Sequence, residues 1–263
     1  MSLVRAAKSV MARTLSRASL YEPLRNHYLK TCKPTYWKQQ ADAIKFYGSF
    51  VSKDSLVFDI GANRGQHTRC FLALGASVIA VEPLPACVAE LRAMYAKRRV
   101  TIIPCAVGDR PSTAELHVGI HTSLSTLSEE WLRTAQSSPR FKDVSWEETV
   151  EVPVITLDSL VEKYGVPDFI KIDVEGFESK ALNGLSKMPR ALCFEFNTEY
   201  LEATLECLQK RCFPNEARFN FVLGEPAGGP LLPQWVSADE MSSIMKTRFQ
   251  ATHIQGDVLV LRG

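Results

Sequence analysis

Leu56-Val57-Phe58-Asp59-Ile60-Gly61-Ala62-Asn63-Arg64-Gly65 is an apolar run that ends in an acid and then breaks into glycines. Leu56 to Phe58 reads as a buried strand, Asp59 stands at its carboxyl end, and Gly61 and Gly65 let the backbone turn tightly into a helix. In open α/β sheets, ligands collect outside the carboxyl ends of the strands, where the next helix presents unpaired N–H groups. The turn therefore marks a ligand site in an α/β fold.

The flanking chain continues the pattern. Trp37 to Phe50 has helical spacing and leads into the first strand. Thr68 to Leu74 reads as a helix closed by Gly75, and Ser77 to Val81 as a β-branched strand ending at Glu82-Pro83. Pro85 to Lys97 is a second helix, and Val100 to Ile103 a third strand that runs into Cys105-Ala106-Val107-Gly108-Asp109. Such alternation implies a parallel sheet with right-handed crossovers. Thr113 to Val118 and Thr149 to Leu157 read as two β segments, and the stretch from Gly119 to Glu148 between them follows no clear period. An irregular stretch that long in a compact domain is commonly functional, and it is read here as a substrate-side flap.

The alternation then resumes. Asp158 to Tyr164 is a helix, Pro167 to Asp173 a buried strand, Phe177 to Leu185 a helix, Ala191 to Phe196 a strand and Tyr200 to Arg211 a helix. Arg218 to Leu223 and Asp257 to Leu261 complete the sheet as an antiparallel pair, with Gly224 to Met245 as an insertion before the last strand. The expected organisation is a basic, largely helical extension over residues 1–50 and one catalytic-type domain over 51–263.

Composition is that of an ordinary globular protein: 263 residues, 46% hydrophobic and 23% charged, with a formal charge of +2 that gives no nucleic-acid signature. The seven cysteines form no C-x-x-C pair, which points to reduced thiols and an intracellular compartment. No apolar run approaches the ~20 residues of a membrane span. Between Met1 and Gln40, eight Lys or Arg face the single acid Glu22. That start suits an organelle transit peptide, or an amphipathic helix lying on the domain or on a membrane surface.

Spacing chooses among ligands for the glycine turn. A dinucleotide fingerprint starting at Gly61 would need glycine at Asn63 and Gln66, and no G-K-[ST] follows for a P-loop. What stands there is Asp59-x-Gly61-x-Asn63-x-Gly65, followed by Glu82 at the end of the second strand. This resembles the S-adenosylmethionine site of Rossmann-type methyltransferases. The resemblance implies that the glycine turn runs under the amino-acid half of the cofactor and that Glu82 binds the ribose hydroxyls. It places Asp59 near the methionine ammonium, and Ala106, Val107 and Asp109 beside the adenine. The structural alternatives are a helix N-cap for Asp59 and an exposed strand end for Glu82.

The second clue is Lys171-Ile172-Asp173-Val174-Glu175-Gly176. It resembles the signature of the FkbM-type methyltransferases. V-F-D-I-G-A-N-R-G, V-E-P, C-A-V-G-D, Ser125-Thr126-Leu127, V-P-V-I-T-L-D and F-E-F-N follow in that family's order over roughly Leu56 to Asn197. The family implies a Rossmann-like class I methyltransferase fold, a mostly parallel seven-stranded sheet with helices on both faces and a β insertion. It also implies methyl transfer to a hydroxyl of a small or sugar-like acceptor. Alternatives left open are a protein or nucleic-acid acceptor, or a non-catalytic interaction module. Alternation puts Lys171 and Asp173 on one side of the strand. Asp173 is therefore read as the catalytic or acceptor-orienting group, supported by Lys171 and Glu175. Glu195 is an acid within an apolar run and is expected to face the same site beside Asn197. His67, His117 and His121 rank below Asp173 as bases. Two clustered acids suit a divalent cation, but no third ligand is legible, so no metal is expected.

Overall fold

The computed structural model describes residues 35–96, 98–224, 229–249 and 253–263. The basic N-terminal stretch before Thr35 lies outside the described residues, and with it the readings made for it. Among the described residues no helix is long and apolar enough to cross a membrane.

The first part of the fold runs α1 (Thr35–Tyr47), β1 (Leu56–Ile60), α2 (Gln66–Ala73), β2 (Ser77–Val81), α3 (Pro85–Tyr95) and β3 (Val100–Ile103). A smaller unit follows with β4 (Ala106–Val107), β5 (Ser112–Val118), α4 (Glu129–Ser137) and β6 (Glu148–Ile155). The main fold then resumes with α5 (Leu157–Tyr164), β7 (Phe169–Ile172), α6 (Glu178–Asn183), β8 (Ala191–Asn197) and α7 (Leu201–Leu208). It closes with β9 (Arg218–Leu223), α8 (Ala238–Phe249) and β10 (Gln255–Leu261).

Seven strands form one sheet in the order β3-β2-β1-β7-β8-β10-β9, and β10 alone runs against its neighbours β8 and β9. Strand order reverses between β1 and β7, which pair in parallel with Asp59 opposite Lys171. That reversal is the switch point at which open α/β sheets hold ligands. Both faces of the sheet are apolar and covered. Val57, Val78, Ala80 and Phe169 pack against α1, α2 and α3, whereas Phe58, Ile60, Ile170, Ile172 and Phe194 pack against α5 to α8. Period-two alternation assigns each residue its layer. Asp59 and Lys171 are therefore on the face covered by α1 and α2. The β insertion is a separate three-stranded sheet, β4-β6-β5, with its own small core around Leu116, Val118, Val152 and Val154.

The stretch read as without a clear period and the one read as an insertion both contain helices. The flap holds α4, capped by Ser128, whose hydroxyl accepts from the Trp131 N–H at 3.1 Å, with Glu129 and Glu130 in its first turn. Its nine residues complete too few turns for periodicity to stand out. Gly224 to Met245 contains the start of α8, closed by a capping box. The Ser237 N–H donates to Glu240 Oε2 at 2.8 Å, and the Glu240 N–H donates to Ser237 Oγ at 3.3 Å. Met241, Met245 and Phe249 then pack on the main core, so this helix belongs to the sheet's cover. The strand read through Leu157 stops at Ile155, because Thr156 caps α5 by accepting from the Ser159 N–H.

Candidate active site

A cavity of about 260 Å³ opens at the carboxyl ends of β1, β2 and β7. The glycine turn forms one wall. Gly61 has φ +81°, and an added Cβ would overlap the Asp173 carbonyl oxygen, so only glycine lets the turn after β1 lie on the turn after β7. Asn63 and Gly65 also take left-handed conformations, at φ 44° and 75°. Gly65 is a packing residue: it sits against the Tyr95 ring, whose hydroxyl donates to the Gly65 carbonyl at 2.9 Å.

Glu82 enters the cavity from the end of β2 but is buried, so it is not an exposed strand end. Its Oε2 accepts from the Asn63 N–H at 2.8 Å and its Oε1 from the Leu84 N–H at 2.7 Å. Each oxygen keeps a lone pair for a ligand. Burial raises the carboxyl to about 7, against the pull of those two N–H groups. Asp59 lies in the sheet beneath the turn. It does not cap α2, whose N-cap is Gly65. Its Oδ2 accepts from the Thr68 hydroxyl, and its buried Oδ1 has no partner. Burial raises Asp59 to about 6, which the Thr68 hydrogen bond and Lys171 oppose. Ala106 and Val107 line the cavity. Asp109 does not: it stands outside, 3.4 Å from Lys180 Nζ.

Across the cavity, Lys171 is 1% exposed and is held between two acids, 2.7 Å from Asp257 Oδ1 and 3.2 Å from Asp173 Oδ2. Burial opposes its charge, but Asp173 and Asp257 outweigh burial and keep it protonated. The same contact, helped by His67, holds Asp173 below its ordinary range despite its own burial. His67 Nε2 lies 3.9 Å from Asp173 Oδ2, and its Nδ1 is 3.0 Å from the Tyr47 hydroxyl of α1. Burial, followed by Lys171, lowers His67 to about 4, so it is neutral near pH 7. Glu175, at φ 53°, and Glu195 on β8 also face the cavity. Both carboxyls are raised well above the usual range, first by burial and then by neighbouring acids.

The flap supplies the remaining wall. Thr122, Ser123, Leu124 and Ser125 line the cavity, and the Thr122 hydroxyl donates to Asn63 Oδ1 at 3.1 Å. Trp131 packs against Gly176, and the Thr126 hydroxyl donates to the Glu175 carbonyl at 2.6 Å. Asn197 accepts from Arg140 Nη1 at 2.9 Å instead of entering the cavity, which ties the end of the flap to β8. Asp257 is the site residue that sequence reading missed. It lies on β10, 86 positions after Lys171, and an acid inside a terminal apolar strand was its one local signal.

Residues 59–216 match the Methyltransferase FkbM domain. The chain belongs to this family. A curated relative is the hexuronic acid methyltransferase AglP of Haloferax volcanii, 28% identical over 157 residues, which make up 59% of this chain and 60% of that protein. Among solved structures, a precorrin-6y methyltransferase from Geobacter metallireducens is similar at TM-score 0.42 and 12% identity, covering 85% of this chain and 86% of that one. A TehB-like methyltransferase from Corynebacterium glutamicum is similar at TM-score 0.40 and 11% identity, covering 92% and 97%. The matched family is a methyltransferase domain whose cofactor is S-adenosylmethionine, and the chain spans about three fifths of the curated relative's length. The residues present suit that cofactor at Glu82, a prepositioned buried carboxylate with free lone pairs beside the glycine wall, whereas Asp59 lies beneath the turn and does not line the cavity.

Proposed function

We propose that this enzyme transfers the methyl group of S-adenosylmethionine to a hydroxyl of a small, sugar-like acceptor. The observation that carries the proposal is the contact of Gly61 with the Asp173 carbonyl, which brings the cofactor turn and the acidic turn to the rim of one cavity. Glu82 would accept both ribose hydroxyls, Asp59 would support the glycine turn from beneath, and Ala106 and Val107 would flank the adenine. Bound in this way, the cofactor supplies an electrophilic methyl on a sulfonium. The protein's own task is to present an oxygen in line with it.

Asp173 is the group placed for that task. Lys171 keeps it ionised, and 26% of its side chain is open to the cavity, so it can accept a hydrogen bond from the acceptor hydroxyl and aim the oxygen's lone pair. Alignment of this kind supplies several kcal/mol of a barrier, and removing the proton adds roughly 10²–10⁴-fold. Lys171 acts through Asp173 and is a positioning residue. The hydroxyls of Thr122, Ser123 and Ser125 suit a polyhydroxylated acceptor, and the relative named for hexuronic acid supports a sugar.

The test is to incubate the full chain with methyl-labelled cofactor and a panel of hexosides and hexuronosides. Label that enters a glycoside and survives mild alkali is expected, because a methyl ether resists hydrolysis. Label released by alkali would place the methyl on a carboxyl and overturn the hydroxyl assignment. Label found only in added protein or RNA would overturn the sugar.

A further inference from the structure

Three carboxylates converge on the acceptor side of the cavity. Asp173 ends β7, Glu175 sits in the left-handed turn that follows, and Glu195 comes from β8, yet one oxygen from each lies within 4.8 Å of the other two. Glu175 is 8% exposed, and no hydrogen bond reaches its carboxylate among the described residues. Glu195 Oε2 is shielded from solvent and also lacks a partner. Positive charge nearby is already committed elsewhere. Lys171 is shared between Asp173 and Asp257, and Arg140 is engaged by Asn197, Glu199 and Gln255. Buried acids this close need a cation or a proton between them.

The donor set distinguishes the ligand. Oxygens alone, with no thiolate or imidazole in the set, suit a hard divalent ion. Three oxygens no more than 4.8 Å apart have a point within about 2.8 Å of all of them, so small side-chain adjustments bring one ion to the ~2.0–2.6 Å of magnesium– or calcium–oxygen contacts. We propose that Asp173, Glu175 and Glu195 bind a hard divalent cation, of the magnesium, manganese or calcium class, in the acceptor half of the cavity. With three protein ligands the ion retains open positions. A vicinal diol or a hydroxy-acid edge fills two of these, which would orient the acceptor and draw an anionic sugar to an acidic wall. That role rests on the sugar reading above; the binding itself does not.

The test is a titration of full-length protein with Mn²⁺ at pH 7.5, following the electron paramagnetic resonance of the free ion. One Mn²⁺ per chain is expected, displaced by Mg²⁺ or Ca²⁺ and weakened at least 10-fold in both Glu175→Gln and Glu195→Gln. Circular dichroism and thermal unfolding identify a variant that does not fold, in which case the other variant decides, with Asp173→Asn as the third. Absence of saturable Mn²⁺ binding by the wild type overturns the proposal, as does binding that the folded variants leave unchanged, which would mark an adventitious ion only. Calorimetry with S-adenosylhomocysteine on the same sample separates the two ideas. Cofactor heat without Mn²⁺ binding sinks the cation alone, whereas Mn²⁺ binding without cofactor heat sinks the methyl-donor assignment.

Discussion

Glu82, the proposed ribose ligand, is a side chain held in place before any ligand arrives. Two backbone N–H groups hold its oxygens while burial pulls its pKa up to about 7, so it is poised between an acceptor and a donor near neutrality. In the proposed complex, only an ionised Glu82 would accept from both ribose hydroxyls. Cofactor affinity is therefore expected to fall as pH drops below about 7 and to level off above it. Glu82→Gln should weaken binding by about 10–100-fold, the equivalent of one charged hydrogen bond of ~1.5–3 kcal/mol, and should flatten the pH profile. Calorimetry from pH 6 to 8.5 on both proteins checks this. An unchanged pH dependence in the variant would show that another group titrates.

At the scale of elements, the flap is joined to the acidic turn through a short relay. The Thr126 hydroxyl accepts from the Ser128 N–H at 2.8 Å and donates to the Glu175 carbonyl, so the residue two before the α4 cap also holds the turn that presents Glu175. Trp131, packed on Gly176, adds the apolar half of the joint. Thr126→Val keeps the shape and removes the hydroxyl. It should cost about 1–3 kcal/mol of stability through unpaired buried groups. Its functional signature should be a raised KM for the acceptor with cofactor affinity unchanged, since no cofactor residue touches the relay. Equal effects on both ligands would mean that the flap shapes the whole cavity. The helix in this flap escaped period-based reading because tertiary packing of Trp131, Ala135 and Phe141, more than length, supports so short a helix.

Over the whole molecule, the concentration of buried acids at one end of the sheet sets an unusual dependence of stability on pH. Asp59 near 6, Glu82 near 7 and Glu178 near 7 all have folded pKa values above those of the unfolded chain. The folded state therefore binds more protons, and the associated stability is present at low pH and lost as pH rises through these values. His67, lowered to about 4, acts in the opposite sense below its unfolded value of 6.5, so above that value the acids act unopposed. Urea unfolding of the cofactor-free protein should show stability falling by on the order of a few kcal/mol between pH 5 and 7.5. A flat or rising curve would mean that the acids are not buried in solution as they are in this fold.

Much of this fold was legible in local patterns. Apolar runs with glycine and proline breaks located β1, β2, β3 and β7 to within a few residues, and the spacing of the glycines after Asp59 argued against a dinucleotide and a P-loop nucleotide. Those features lie within a few tens of residues and depend on backbone conformation and alternation, which the sequence determines by itself. Tertiary structure alone decided which distant side chains meet. Asp257 reaches Lys171 because β10 inserts antiparallel beside β8, and Glu195 completes an acid triad because β8 lies next to β7. Asp109 is outside the cavity because its turn faces α6 and Lys180. A charge carries no mark of its partner in the sequence; the partner is set by strand order, and strand order is a property of the closed sheet.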